Sequence, residues 1–185
     1  MPLYLGLVHY PVYNKHGETI ASAITTLDLH DLARLSATYG LKRFYVITPL
    51  ADQQELAHRV IRHWTEGYGA AYNRDRKEAM QGIAVVPSLE DAVTSVQAAQ
   101  GVRPYLIATD AGRHEDKEID FQAAREVLES GRAVILLLGT AWGLHRLVLD
   151  RGDAVLEPVQ GVGPYNHLSV RTAAAILLDR LVVQG

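Results

Sequence analysis

The chain has 185 residues, a length that suits one core burying roughly 70% of the unfolded surface. Hydrophobic residues make up 48%, charged residues 21%, and the formal net charge is -3. That balance excludes disordered and collagen-like chains and a uniformly basic coat for nucleic acid. With Cys 0, disulfides, thiolate metal ligands and sulfur nucleophiles are absent, so any catalysis falls to oxygen and nitrogen groups.

Apolar β-rich runs alternate with helical patterns from end to end, the signature of an α/β fold. The order begins with a strand at residues 3–9, a polar Pro-containing turn (His9-Tyr-Pro-Val-Tyr-Asn-Lys15) and a helix at 29–39 with the apolar stripe Leu29, Leu32, Ala33, Ser36. Asp28 is expected to cap that helix with Asp31 at the third position, and Asp31 can also pair with Arg34. A strand at 43–48 and a helix at 53–65 follow. From Gly67 to Gln81 periodicity fails, and this polar, aromatic stretch reads as a long loop. Strands are then expected at 83–86, 105–109, 133–138 and 154–157, with helices at 89–99, 121–129, 142–149 and 169–183 between and after them. In the last helix Val170, Ala173, Ala174, Leu177, Leu178 and Leu181 form one apolar stripe.

No linker or repeat interrupts the pattern, so residues 1–185 are read as a single domain. No apolar run approaches the roughly 18 residues of a membrane span, and no basic region precedes the first apolar stretch; the expectation is a cytoplasmic protein without membrane association.

Familiar cofactor motifs fail. Gly161-Val-Gly-Pro-Tyr-Asn166 opens like a dinucleotide fingerprint but has Asn at the third glycine position and no βαβ unit after it. There is no phosphate loop, no nucleophile elbow and no His-Glu-x-x-His, and His58 and His63 do not share a helical face, so no metal is expected. Three strand-end turns, around Gly139 to Gly143, Glu157 to Gly161 and Tyr165 to Ser169, would expose backbone N–H and C=O groups to a ligand. Ordinary strand-to-helix turns would read the same way.

Taken together, LVHYPVYNK, TTLDLHDLARLSATYGLKRFYVITPL, GYGAAYNRDRKEA, LLLGTAWGL, LEPVQG and PYNHLSVRTAAAILLDRL resemble the successive motifs of the SPOUT superfamily of S-adenosylmethionine-dependent RNA methyltransferases. The nearest likeness is to a bacterial family of single-domain RNA methyltransferases related to tRNA (guanine-N1) methyltransferases. The resemblance implies an α/β sandwich with a central, mostly parallel sheet and a C-terminal trefoil knot, working as a homodimer on tRNA or rRNA. It also implies cofactor contacts from Leu138, Gly139, Thr140, Gly143, Glu157, Pro158, Gly161, Tyr165, Asn166, His167, Leu168 and Ser169.

Arg34 resembles the motif-one Arg of the ribose 2′-O-methylating branch, where a guanidinium would stabilise a developing alkoxide, and His167 can accept a proton. Asp28 stands where that branch has Asn, so ribose 2′-OH and base nitrogen both stay open as acceptors. Tyr68, Tyr72, Arg74, Arg76 and Lys77 offer stacking faces and cations for RNA, with Lys42 and Arg43 as extensions of that patch; Tyr13, Asn14, Lys15 and Arg171 are further substrate-positioning candidates. Two other readings stand beside this one: a noncatalytic RNA-binding or S-adenosylmethionine-sensing module on the same fold, and an unknotted nucleotide-binding protein.

Overall fold

A computed structural model describes residues 1–183. In chain order the strands are β1 (Leu3–Val8), β2 (Val12–Tyr13), β3 (Thr19–Ile20), β4 (Arg43–Ile47), β5 (Ile83–Val86), β6 (Tyr105–Thr109), β7 (Glu118–Ile119), β8 (Val134–Gly139) and β9 (Ala154–Leu156). The helices are α1 (Thr26–Thr38), α2 (Ala51–Thr65), α3 (Tyr68–Tyr72), α4 (Arg74–Gln81), α5 (Leu89–Gln100), α6 (Phe121–Glu129), α7 (Arg146–Arg151) and α8 (Val170–Val182). Seven strands form one sheet in the order β5-β4-β1-β8-β6-β9-β7, every ladder parallel, while β2 and β3 make a separate hairpin. The expected six strands are present within a residue at each end, together with the short β2, β3 and β7.

Both faces of the sheet are covered, which is why the strand sequences read as continuous apolar runs. Side chains alternate along β1: Leu3, Leu5 and Leu7 join Leu29, Leu32, Phe44 and Leu178 on one face, while Tyr4 and Val8 join Tyr45, Val93, Ile135 and Val148 on the other. Each fully buried Leu contributes roughly 1.5–3 kcal/mol of transfer free energy, so this alternation fixes the register of the central strand.

Strand order reverses direction between β1 and β8, whose last residues, Val8 and Gly139, are register partners. A crevice beyond the carboxyl ends of strands at such a switch point is where open α/β sheets receive ligands.

Three local expectations are corrected. The stretch 67–81 is not a loop: α3 and α4 occupy it, α4 beginning at Asn73, whose side chain accepts the Arg76 N–H. Only Ala79 and Met80 of α4 are buried, too few to create a visible apolar period. Residues 142–149 do not form one helix. Ala141 (φ 53) and Gly143 (φ 102) take left-handed conformations, and α7 starts only after His145, whose Nδ1 accepts the Leu147 N–H. Finally, Thr25 and not Asp28 caps α1; Asp28 is the third helical residue, its N–H donating to Thr25 Oγ1 and its carboxylate accepting from the same hydroxyl.

Candidate active site

A cavity of about 760 Å³ opens at the carboxyl ends of β6, β8 and β9, beside the segment that follows the β2-β3 hairpin. Leu138, Trp142, Leu156, Pro158, Val159, Leu168, Val170 and Leu177 supply apolar wall, and turn backbone and polar side chains such as Ser22, Thr109, Thr140 and Asn166 supply the rest. That volume and mixture suit a nucleoside-sized ligand.

The wall after β8 is a tight turn in which the Gly143 N–H donates to Thr140 O at 3.0 Å. Ala141 holds its left-handed conformation because the surroundings over-determine it. Trp142 N–H donates to Tyr13 O, Tyr13 N–H donates to Gly143 O, and His145 N–H donates to Pro11 O, so the hairpin segment acts as a mould for the turn. At the turn's entrance, a Cβ on Gly139 would lie 2.6 Å from Leu144 N and 2.9 Å from Gly143 C, so only glycine lets β8 bend there.

The opposite wall joins α1 to α8. Asp28 is buried, and its Oδ1 accepts from Arg171 Nη1 at 2.7 Å while Arg171 Nε reaches Asp31 at 3.3 Å. Asp31 is therefore paired with Arg171 and not with Arg34, because α8 brings a guanidinium to the start of α1. Ser169 caps α8 by accepting the Thr172 N–H, which fixes the turn before it.

Glu157 and Asp110 complete the charged lining. Glu157 Oε1 accepts the Phe121 N–H at 2.9 Å; Asp110 accepts the Gly112 N–H and faces His114 Nε2 at 3.2 Å. Among the described residues that line the cavity, Asp28, Asp110 and Glu157 are carboxylates and none is Lys or Arg. Such a lining disfavours the phosphates of ATP or NAD and favours a cationic ligand. S-adenosylmethionine, with its sulfonium, ammonium and uncharged adenosine, fits this donor set; Asp110 and Glu157 would face its positive groups, Asp28 being paired with Arg171, and the strand-end backbone its adenosine.

Of the expected cofactor contacts, Leu138, Gly139, Thr140, Gly143, Glu157, Pro158, Asn166, His167, Leu168 and Ser169 line the cavity. Gly161 and Tyr165 do not. Gly161 N–H donates to Asn166 Oδ1, closing the loop between them, and Tyr165 is an exposed ring set edge-on to His167. Arg34 is exposed on α1 and also lies outside the cavity lining. It lies with Arg76 and His63 around His30, whose pKa is lowered first by burial and then by Arg76, with Arg34 and His63 adding to the effect against Asp31.

The remaining candidates separate by what their side chains already do. The Tyr13 ring lies tilted against His145 at 4.7 Å, and its hydroxyl accepts the Arg146 N–H. The Asn14 side chain accepts from the His16 and Glu18 N–H groups and donates to Glu18 Oε2, building the hairpin turn, whereas Lys15 is exposed at its tip. Arg171 is held by its two carboxylates. Tyr68 and Tyr72 stack at 6.0 Å and are exposed, with exposed Arg74 and half-buried Lys77 nearby in sequence; Arg76 lies 4.5 Å over the Trp64 ring.

Sequence reasoning missed His9, Ser22, Thr109 and Asp110. Thr109 and Asp110 were detectable as the end of a strand; His9 and Ser22 carry no spacing signal, since only folding brings His9 to Ser22 and Ser22 to Thr140.

A parallel sheet with a carboxylate-lined, largely apolar cavity at its switch point defines an α/β protein built to hold a cationic nucleoside. Comparison with known proteins specifies it further. A family profile described as SAM-dependent RNA methyltransferase matches residues 2–183, and this chain belongs to that family. A protein named tRNA (guanine-N(1)-)-methyltransferase from Oleidesulfovibrio alaskensis is 44% identical over 180 residues, covering 97% of this chain and 42% of the relative. The chain thus spans about two fifths of the length of that relative. An uncharacterised protein from Aquifex aeolicus is 33% identical, with 97% of this chain and 87% of its own length covered.

Among solved structures, TrmJ from Z. mobilis ZM4 superposes with a TM-score of 0.63 at 16% identity, covering 100% of this chain and 70% of that one. The SpoU methyltransferase AviRb from Streptomyces viridochromogenes, solved in complex with AdoMet, gives 0.59 at 17% identity, covering 97% and 58%. At that identity these establish the fold, and the expected SPOUT-type α/β architecture with its central parallel sheet is borne out.

Proposed function

We propose that the chain transfers a methyl group from S-adenosylmethionine to RNA, with the cavity at the ends of β6, β8 and β9 as its cofactor site. The observation that carries this reading is the cavity's charge: carboxylates without a lining cation, in a chain whose family uses this methyl donor. When bound, S-adenosylmethionine supplies an electrophilic methyl carbon on a positively charged sulfur. The protein's share of the work is to hold that methyl in line with an acceptor oxygen or nitrogen and to take up the acceptor's proton.

His167 would receive that proton, a reading supported by its exposure on the cavity lining. Arg34 stands outside the lining and acts on the RNA, at its phosphate or at the acceptor. Tyr68 and Tyr72 offer a stacked aromatic pair for unpaired bases, with Arg74, Arg76 and Lys77 following them in the chain as cations for phosphates. tRNA is the RNA class named for the 44%-identical relative and is the first substrate to test, ahead of rRNA.

Exposed Leu27, Val162, Tyr165 and Leu168 suit burial in a homodimer, and the C-terminal loop and α8 are read as threaded in a trefoil knot, as in the superfamily the sequence resembles. A cytoplasmic location follows from an RNA substrate.

The test is incorporation of labelled methyl groups into unmodified cellular RNA by the native protein and by Arg34→Ala. Incorporation by the native protein that falls at least about tenfold in the variant, with cofactor binding kept, supports the reading. Cofactor binding with no transfer to any RNA pool would identify a sensing or RNA-binding module instead.

A further inference from the structure

His9, the residue after β1, is fully buried, yet it carries two ring nitrogens into the apolar interior. Its Nδ1 lies 2.9 Å from Ser22 Oγ, Ser22 Oγ lies 2.5 Å from Thr140 Oγ1, and Thr140 Oγ1 lies 3.0 Å from Val8 O. Ser22 Oγ also approaches His9 O, but at 3.5 Å, too long to compete with its 2.5 Å contact to Thr140, so proton counting along the short contacts sets the direction of this chain. A carbonyl only accepts, so the Thr140 hydroxyl donates to Val8 O; its one proton being spent, it accepts from Ser22. Ser22 has then spent its own proton and must accept from His9, which makes His9 the Nδ1–H tautomer with a lone pair on Nε2.

The Nε2 atom is buried without a hydrogen-bond partner. An apolar side chain would fill the space without that unpaired acceptor, so what imidazole adds here is the Nδ1 donor. Burial also pulls the His9 pKa down to about 4, against the opposing effects of Asp28 and a backbone hydrogen bond at Ser22, so the ring is neutral at physiological pH and the chain keeps one direction.

Ser22 and Thr140 both line the cavity, and Thr140 opens the turn whose Ala141 and Gly143 are left-handed. The backbone bonds to Tyr13 hold the far side of that turn, and the two hydroxyls hold its near side. We propose that His9 is a positioning residue for the cofactor cavity: by donating Nδ1–H to Ser22 it orients the Ser22–Thr140 hydroxyl pair and fixes the Thr140–Gly143 turn in the form that receives S-adenosylmethionine. This rests on the reading that the cavity takes that cofactor.

Isosteric replacements separate this role from simple core filling. The amide nitrogen of an Asn sits at the place of Nδ1, whereas that of a Gln sits at the place of Nε2. The experiment is calorimetric titration of S-adenosylmethionine into the native protein and into His9→Asn, His9→Gln, His9→Leu and Ser22→Ala, with kcat and KM for the cofactor measured alongside. His9→Asn is expected to stay within about threefold of native affinity, while His9→Gln, His9→Leu and Ser22→Ala weaken it by about tenfold or more, the size of one lost hydrogen bond. The loss is expected in the cofactor KM, and His9→Leu combined with Ser22→Ala should weaken binding no further than either alone.

Equal losses in His9→Asn and His9→Gln, or native affinity in all variants with only a lower melting temperature, would overturn the role. Ser22→Ala removes one hydroxyl at a half-buried site and keeps the test decisive if the His9 variants do not fold. A native protein that does not bind the cofactor at all would overturn the cavity reading; binding that no variant alters would overturn only the role of His9.

Discussion

Arg171 and Asp28 stand 143 residues apart in the chain, yet the guanidinium Nη1 lies 2.7 Å from the carboxylate Oδ1. This pair ties the start of α8 to the start of α1 and sets the width of one cavity wall. The Asp28 side chain is only 9% exposed, so its charge depends on that partner.

Replacing Arg171 by Met leaves a nearly buried carboxylate with only the Thr25 hydroxyl and helix N–H groups beside it. The expected cost is about 2–3 kcal/mol, seen as a fall of about 5–10 °C in melting temperature. Asp28→Asn in the same background should recover part of the loss, since the uncompensated charge is then gone. Urea denaturation of the four members of the cycle measures the coupling.

Acid lowers stability through His9. Its folded pKa of about 4 lies below the ordinary 6.5, so between those values the unfolded chain binds the additional proton and folding gives it up. Stability from this group is complete above pH 6.5 and declines as pH falls towards 4. At pH 5 the loss is about 2 kcal/mol, an order-of-magnitude figure, and His9→Asn should flatten the dependence. Urea midpoints at pH 7 and pH 5 for the two proteins read it directly.

Two glycines on strand-end turns, Gly139 on the cavity lining and Gly161 outside it, should respond differently to an added methyl. Gly139→Ala forces a Cβ to within 2.6 Å of Leu144 N, so the turn must shift, with a stability cost of about 1–3 kcal/mol and at least about tenfold weaker cofactor binding. At Gly161 the nearest atom, Tyr165 O, lies 3.4 Å from the added Cβ, an ordinary contact, and Gly161→Ala should stay within about 0.5 kcal/mol. Thermal melts and calorimetry on both variants check the contrast.

RNA and cofactor affinity should separate by position. Tyr68→Ala with Tyr72→Ala removes the exposed stacked pair and should weaken RNA binding by about 1–3 kcal/mol per base lost from the stack. Cofactor affinity should be unchanged, because neither ring lines the cavity. Filter binding of RNA beside calorimetry of the cofactor distinguishes the two effects.

The core was legible because its signal is local: continuous apolar runs mark strands covered on both faces, and the stripe through Leu29, Leu32, Ala33 and Ser36 is buried as its spacing requires. Helix α4 was not legible, since its sequence RDRKEAMQ buries just two residues and its cap, Asn73, looks like any polar loop residue. The break at Ala141 was hidden for a different reason: an alanine does not announce a left-handed backbone, which here depends on bonds from the distant Tyr13. Likewise the partners of Asp31 and Ser22 are set by tertiary contacts from Arg171 and Thr140, and no spacing rule reaches that far.

The central claim concerns what the carboxylate-lined cavity holds, and titration calorimetry with S-adenosylmethionine, ATP and NAD addresses it most directly. Saturable binding of S-adenosylmethionine at micromolar concentration, abolished or strongly weakened in Gly139→Ala, with no heat from either phosphate-bearing nucleotide, is the expected result. Comparable or tighter binding of ATP or NAD, or no binding of S-adenosylmethionine by the folded protein, would contradict it.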